Sequence, residues 1–230
     1  MANGLPDTGG TERKTARLEA FSDAVLAIAI TLPVVDLHMK ATLVAEAASV
    51  GAAYAELAPD YIAYAMSVVV IGLYWAHSHF SGKIVEKTDH GFNLLTVLFL
   101  ALVSVTPFPS GPFAAHLAGD GESRMAAIVY AGVLAAPSVA WFVRYLYVRW
   151  RGLHDLRLAP AYLRRLTVKY ASTAALFVGG VAVTAFIDWR AGFLLVALTT
   201  LGYLIPPQRP QFLPGQEPEN ELQEADERSR

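Results

Sequence analysis

Charged residues fall along this chain in short clusters, and the stretches between the clusters are apolar. The first stretch, Ala24 to Val35, holds twelve residues with no charge and one hydroxyl, Thr31. A bilayer core takes about 20 mostly apolar residues of helix, so this stretch predicts a span over 20–39. Five further apolar stretches predict spans over 61–79, 92–110, 125–148, 167–187 and 191–206. Residues 41–58 are Ala-rich with two Glu and one Gly, and predict either an interfacial helix or a helical lead into the second span. Pro59 suits the first turn of that second helix. Within the first span Ile28, Thr31 and Val35 fall at i, i+3 and i+7 and share one helix stripe. By itself such a stripe is as well explained by helix–helix packing.

Composition sharpens this picture to a fold class. Hydrophobic residues make up 54% of the 230 positions and charged residues 17%, too apolar for an ordinary soluble domain. The chain reads as an all-α membrane protein with six transmembrane helices. Residues 1–16 are expected to be a disordered cytoplasmic N-terminus, 17–206 the membrane domain, and 207–230 a disordered, acidic cytoplasmic tail. The N-terminal segment shows no short apolar region of the signal-peptide kind. With six spans, fifteen of the eighteen Lys and Arg collect on one side, which places both termini in the cytoplasm and the chain in the cell membrane. Cysteine is absent, so disulfides and thiolate sites are excluded.

Candidate chemistry is sparse. There is no phosphate loop, no dinucleotide fingerprint and no His-Glu-x-x-His pair, so the chain is not expected to be an enzyme. His77 and His79 are two residues apart and point to different helix faces, a poor zinc pair. Trp75 and His79, at i and i+4, share a face. The Pro107-Phe108-Pro109-Ser110 run reads first as a helix terminator. Ser22 and Asp23 stand at the edge of the first span. They read either as an ordinary helix cap or as an intramembrane pair facing protein or water. Arg17, which precedes the pair and lies on the same helix if the helix starts early, favours the second reading. The mid-membrane lacks the Asp, Glu or Lys relay of a transporter, and the Thr-Val-Gly-Tyr-Gly potassium filter is absent.

The run Arg17-x-x-x-Phe21-Ser22-Asp23, continued by Ala-Ile-Ala-Ile-Thr-Leu, resembles the prokaryotic members of the transmembrane protein 175 family, endolysosomal-type potassium channels. Trp75, His79, Asp89, Asn93 and the Pro107–Ser110 run follow in the family's order, and the likeness covers roughly residues 13–206. The resemblance implies a homotetramer of six-span chains with the first helix lining a central pore. It implies that Ile28 forms the narrowest apolar ring, with Thr31 and Val35 as the next layers. It also implies that Arg17, Phe21, Ser22 and Asp23 join Trp75, His79 and Asn93 in a buried polar network holding the first helix. The partners are then other copies of the chain, the lipid bilayer and monovalent cations. Nucleic acid is not expected as a partner, nor a cofactor or bound metal beyond permeant potassium. Ser78 stands where many members have a first His of a pair, and Val35 where many have Leu. The expected function is a potassium-selective or potassium-permeable channel whose apolar constriction acts as filter or gate. The alternatives are a proton leak or proton-coupled transporter using Asp23, His79 and Asp36, and a scaffold that transports nothing.

Overall fold

A computed structural model of the chain describes residues 9–44, 49–109, 111–113, 123–205, 208–216 and 218. Among these residues all regular structure is helical, apart from two isolated bridges between loop segments. Helix α1 is Gly9–Val44, α2 Val50–Glu56, α3 Ala58–Gly82, α4 His90–Ser104, α5 Ser123–Arg151, α6 Pro160–Phe186 and α7 Trp189–Leu201, which continues as a 3-10 turn at Gly202–Leu204.

Local chemistry sets the helix starts. Ser49 accepts from the Ala52 N–H at 3.2 Å to open α2. Asp89 accepts from the Phe92 N–H at 2.8 Å to open α4, and Asp188 from Ala191 at 2.7 Å to open α7. Helices α3 and α6 carry Pro in their first turn, where its missing donor costs nothing. Helices α1, α3, α5 and α6 are long and apolar enough to cross a membrane. Four of the six expected spans are thus met at full length. The third and sixth are shorter: the 15 residues of α4 reach about 22 Å at 1.5 Å each, against a hydrocarbon core of roughly 30 Å. Helix α4 stops at Ser104 and unwinds through 105–109, so the Pro107 run does terminate a helix; Ser110 lies outside the described residues.

Helix α5 forms the centre, with α4, α6 and α7 packed around it. Its small residues Ala127, Ala131 and Ala135 are buried, and so are its large rings Tyr130, Trp141 and Tyr145. Trp141 meets Phe99 and Tyr170 edge-on at 5.2 and 6.1 Å. Helices α6 and α7 approach so closely that a Cβ on Gly192 would collide with the Thr184 backbone, a contact that only a small residue permits. His77 belongs to this core. Its Nε2 lies 2.8 Å from the Tyr203 carbonyl and its ring meets Tyr203 edge-on.

Two connections dock on each other at one end of the bundle. The Glu86 and Lys87 N–H groups donate to the Leu153 carbonyl at 3.0 and 3.1 Å, and the Asp155 N–H to Ile84 at 3.0 Å. Asp89 also accepts from the Tyr147 hydroxyl at 3.0 Å and from Arg151 Nε at 3.3 Å. Its carboxyl is held below the ordinary range, first by the Phe92 N–H and then by Tyr147 and Arg151. Asp155 is lowered chiefly by hydrogen bonds from Arg157. The basic connections after the second and fourth spans therefore share one end, as the alternation of charge requires.

Regular structure extends to both sides of the 17–206 segment. Helix α1 runs back to Gly9, because each residue added to an existing helix gains a hydrogen bond without a new nucleus. The start of the tail is folded as well: the Ala159 N–H donates to Gln211 and the Leu213 N–H to Arg157, both at 2.8 Å. The Arg157 guanidinium lies 6.0 Å from the Phe212 ring. Residues 1–8, 45–48, 114–122 and 219–230, which include much of the expected external loop and of the tail, lie outside the described residues.

Candidate functional site

Helix α1 packs mainly on α3 and α4 and has two unlike faces. Leu26 and Ala29 face the core at 0% and 5% exposure, while Ile28, Leu32 and Val35 are 55%, 61% and 57% exposed. Thr31 is exposed with them, so the predicted stripe Ile28–Thr31–Val35 is one continuous uncharged surface of the chain. The Thr31 hydroxyl donates to the Ala27 and Ile28 carbonyls, each at 3.1 Å. With its hydrogen engaged inside the helix, the oxygen presents lone pairs outward. Pro33 lies inside the helix and removes the donor that the Ala29 carbonyl would otherwise use, a cause for a bend between the Thr31 and Val35 layers.

An apolar cavity of about 510 Å³ flanks this surface, lined by Val25, Ile28, Leu32 and Pro33 on one side and by Ala63, Tyr64, Pro107 and Phe108 on the other. The Pro107-Phe108 run therefore does more than end α4: it faces α1 across this cavity.

The polar residues come together only in part. Trp75 Nε1 donates to Asp23 Oδ1 at 3.1 Å, and the Trp75 ring stacks on His79 at 6.5 Å. Ser22 donates to the Leu18 carbonyl of its own helix at 2.8 Å. Ser22, Asp23 and His79 line a common polar cavity of about 280 Å³. Arg17, Phe21 and Asn93 stand outside it, exposed on their helices. Among the described residues no hydrogen bond or ion pair joins Arg17 or Asn93 to Asp23. In the single chain the expected buried network is instead a half-open cluster of Asp23, Trp75 and His79. Arg17 is six residues before Asp23 and so sits on a different face of the helix, and it is long enough to snorkel to solvent. The side chain of Asp36 lies outside the described residues.

Arg144 was not expected here. It is 7% exposed, sits 4.4 Å from the Trp141 ring and 5.1 and 5.5 Å from Phe99 and Phe92, and lines the same cavity as Asp23. Its place seven residues before the end of α5, with an aromatic at i−3, is the sequence signal that could have marked it out from the flanking charges at Arg149 and Arg151.

The profile of the family described as "Endosomal/lysosomal potassium channel TMEM175" matches residues 17–107, which carry α1, α3, α4 and every residue of the expected site. A protein named as a potassium channel from Streptomyces collinus is 33% identical over 162 residues, 69% of this chain and 76% of that protein. A potassium channel from Chamaesiphon minutus is 35% identical over 130 residues, 56% of this chain, and the match spans just under two thirds, 64%, of that protein. The crystal structure of a lysosomal potassium-selective channel TMEM175 homolog from Chamaesiphon minutus superimposes with a TM-score of 0.63 at 27% identity, covering 83% of this chain and 98% of that one.

Proposed function

The chain belongs to the TMEM175 family, and from that premise we propose that it is a potassium-selective channel of the cell membrane. The family is one of ion channels, not of enzymes. In this reading residues 17–206 form the channel domain, six helices cross the bilayer, and both termini are cytoplasmic. Four chains surround a pore lined by α1. The observation that carries the reading is the uncharged surface of α1, left uncovered by the rest of the chain from Ile28 to Val35.

Four Ile28 side chains around an axis make a ring without oxygen, so an ion must shed water to pass. Potassium, the larger ion, gives up its hydration at lower cost than sodium. The Thr31 layer beside it supplies oxygen lone pairs at the point of dehydration, and Val35 closes the next apolar layer. Asp23, held by the Trp75 indole, and His79 stacked on that ring fix the entry end of α1 to α3; Arg17, Phe21, Ser22 and Asn93 complete this support once neighbouring copies cover their exposed faces. No cofactor is required, since the permeant ion is the only ligand. The test is potassium efflux from liposomes holding the purified protein. Fast potassium flux without a coupling gradient, with sodium flux clearly slower, supports the channel. Flux that depends on a proton gradient favours the transporter, and no flux leaves a scaffold.

A further inference from the structure

Three facts meet in the polar cavity between α1, α3, α4 and α5. Arg144 lies in its wall more than nine-tenths buried, and among the described residues its guanidinium takes no hydrogen bond or ion pair; three aromatic rings lie against it. Asp23 and Glu19 line the same cavity from α1, where Asp23 accepts from the neutral Trp75 indole and the Glu19 carboxylate rests against Gly82 at the C-terminal end of α3. The cavity, about 280 Å³, is polar and large enough to hold water that bridges charges across it. We propose that Arg144 is the cation that ties α1 to the core helix α5, acting on Asp23 and Glu19 across this cavity.

Burial separates Arg144 from the other cations near this cavity. Arg17 is exposed and Lys83, at the rim of the cavity, is exposed too; water and salt screen both. His79 also lines the cavity and is exposed. Arg144 is buried while its partners Asp23 and Glu19 are exposed, and a pair with one member in low dielectric is screened less than a pair wholly in water. Aromatic faces stabilise a guanidinium but satisfy none of its five donors, which leaves it a strong demand for an acceptor. The acceptors on the facing wall are α1 carboxylates. Arg144 thereby ties the loosely packed α1 to the core helix α5, with which α1 shares little direct packing. This holds whether or not α1 lines a pore.

The experiment is a mutant cycle read on α1 itself. The chain contains no cysteine, so Ala27→Cys on the exposed side of α1 gives one spin-label site in the full-length protein in lipid nanodiscs. Label mobility and the unfolding midpoint are measured for Arg144→Gln, Arg144→Lys, Arg17→Gln and Asp23→Asn/Glu19→Gln. Asn at 23 keeps an acceptor for the Trp75 indole. The expected result is at least a twofold rise in label mobility with Arg144→Gln, retention of the native spectrum with Arg144→Lys, and no further rise when Arg144→Gln is added to Asp23→Asn/Glu19→Gln. Arg17→Gln, which removes an exposed charge, should move the label less than Arg144→Gln does. Additive effects of Arg144→Gln and the carboxylate variants, or an unmoved label in folded Arg144→Gln, overturn the proposal. Should Arg144→Gln not fold, Asp23→Asn/Glu19→Gln decides alone: a mobilised label supports the link and an unchanged one overturns it.

Discussion

Helices α1 and α5 each carry an apolar window long enough to cross a bilayer, yet 17% of that window in α1 is buried inside the chain and 44% in α5. Their sequences are equally apolar, so hydropathy alone does not separate them. Packing detail does. Helix α5 spaces alanines so that neighbours come close, and sends Tyr130, Trp141 and Tyr145 into the gaps. Helix α1 buries the narrow Leu26–Ala29 edge and leaves Ile28, Leu32 and Val35 uncovered. A helix with an uncharged, uncovered face has its remaining contacts outside its own chain, with lipid or with other copies around a pore. The core helix holds the fold; the edge helix is where function is proposed.

The largest effect that sharpens this contrast is on stability. Trp141→Ala removes a buried ring that contacts Phe99, Tyr170 and Arg144, and should cost about 3–5 kcal/mol. Leu26→Ala, on the buried edge of α1, should cost about 2–5 kcal/mol. Leu26 is therefore no silent control for pore experiments. Ile28→Ala, two residues further on, should stay within about 0.5 kcal/mol in the monomer. Unfolding in detergent, monitored by far-UV circular dichroism, measures all three, and an Ile28→Ala loss equal to that of Leu26→Ala would break the two-face description.

A smaller effect is expected at the junction between the edge helix and the core. Trp75→Phe keeps the ring but deletes the donor to Asp23, and should cost about 1 kcal/mol. Hydrogen exchange should rise in the first half of the α1 span and not in α5. Exchange rising equally in both helices would mean that Trp75 supports the whole bundle.

The smallest effect is a pH dependence confined to the docked connections. Asp89 and Asp155 are held below the ordinary carboxyl range in the folded chain. Their contribution is therefore complete above about pH 4 and fades as pH falls through the lowered folded values. In both pairs the arginine is half exposed, although Asp155 itself is buried, so the effect on global stability should be under about 1 kcal/mol. Amide exchange over 83–89 and 152–158, corrected for intrinsic rates, should rise between pH 4 and pH 3 while that of α5 stays level. Unchanged protection would detach these carboxylates from the docking.

Much of this arrangement was legible in the residues. Uncharged runs marked the spans, and the i, i+3, i+7 spacing put Ile28, Thr31 and Val35 on the face that the fold leaves open. The family signature paired Asp23 with Trp75. What escaped depends on tertiary geometry. Arg17 and Arg144 are both arginines near span ends, and only packing shows that one snorkels outward while the other lies under Trp141, Phe99 and Phe92. The polar tail hardly marked its pairing with 157–159, because backbone hydrogen bonds leave no trace in composition; Phe212-Leu213 amid Gln, Arg and Pro was its one signal.

The central claim, that the exposed face of α1 is the selectivity surface, is tested most directly by potassium and sodium currents through Ile28→Ala and Ile28→Asn channels compared with the unmodified protein and Thr31→Ala in one lipid. The account predicts that both Ile28 variants raise total conductance and lower the potassium-to-sodium ratio, while Thr31→Ala lowers the ratio with little gain in conductance. Ile28 variants with unaltered conductance and ratio, in properly assembled channels, would contradict it and place the pore on another surface.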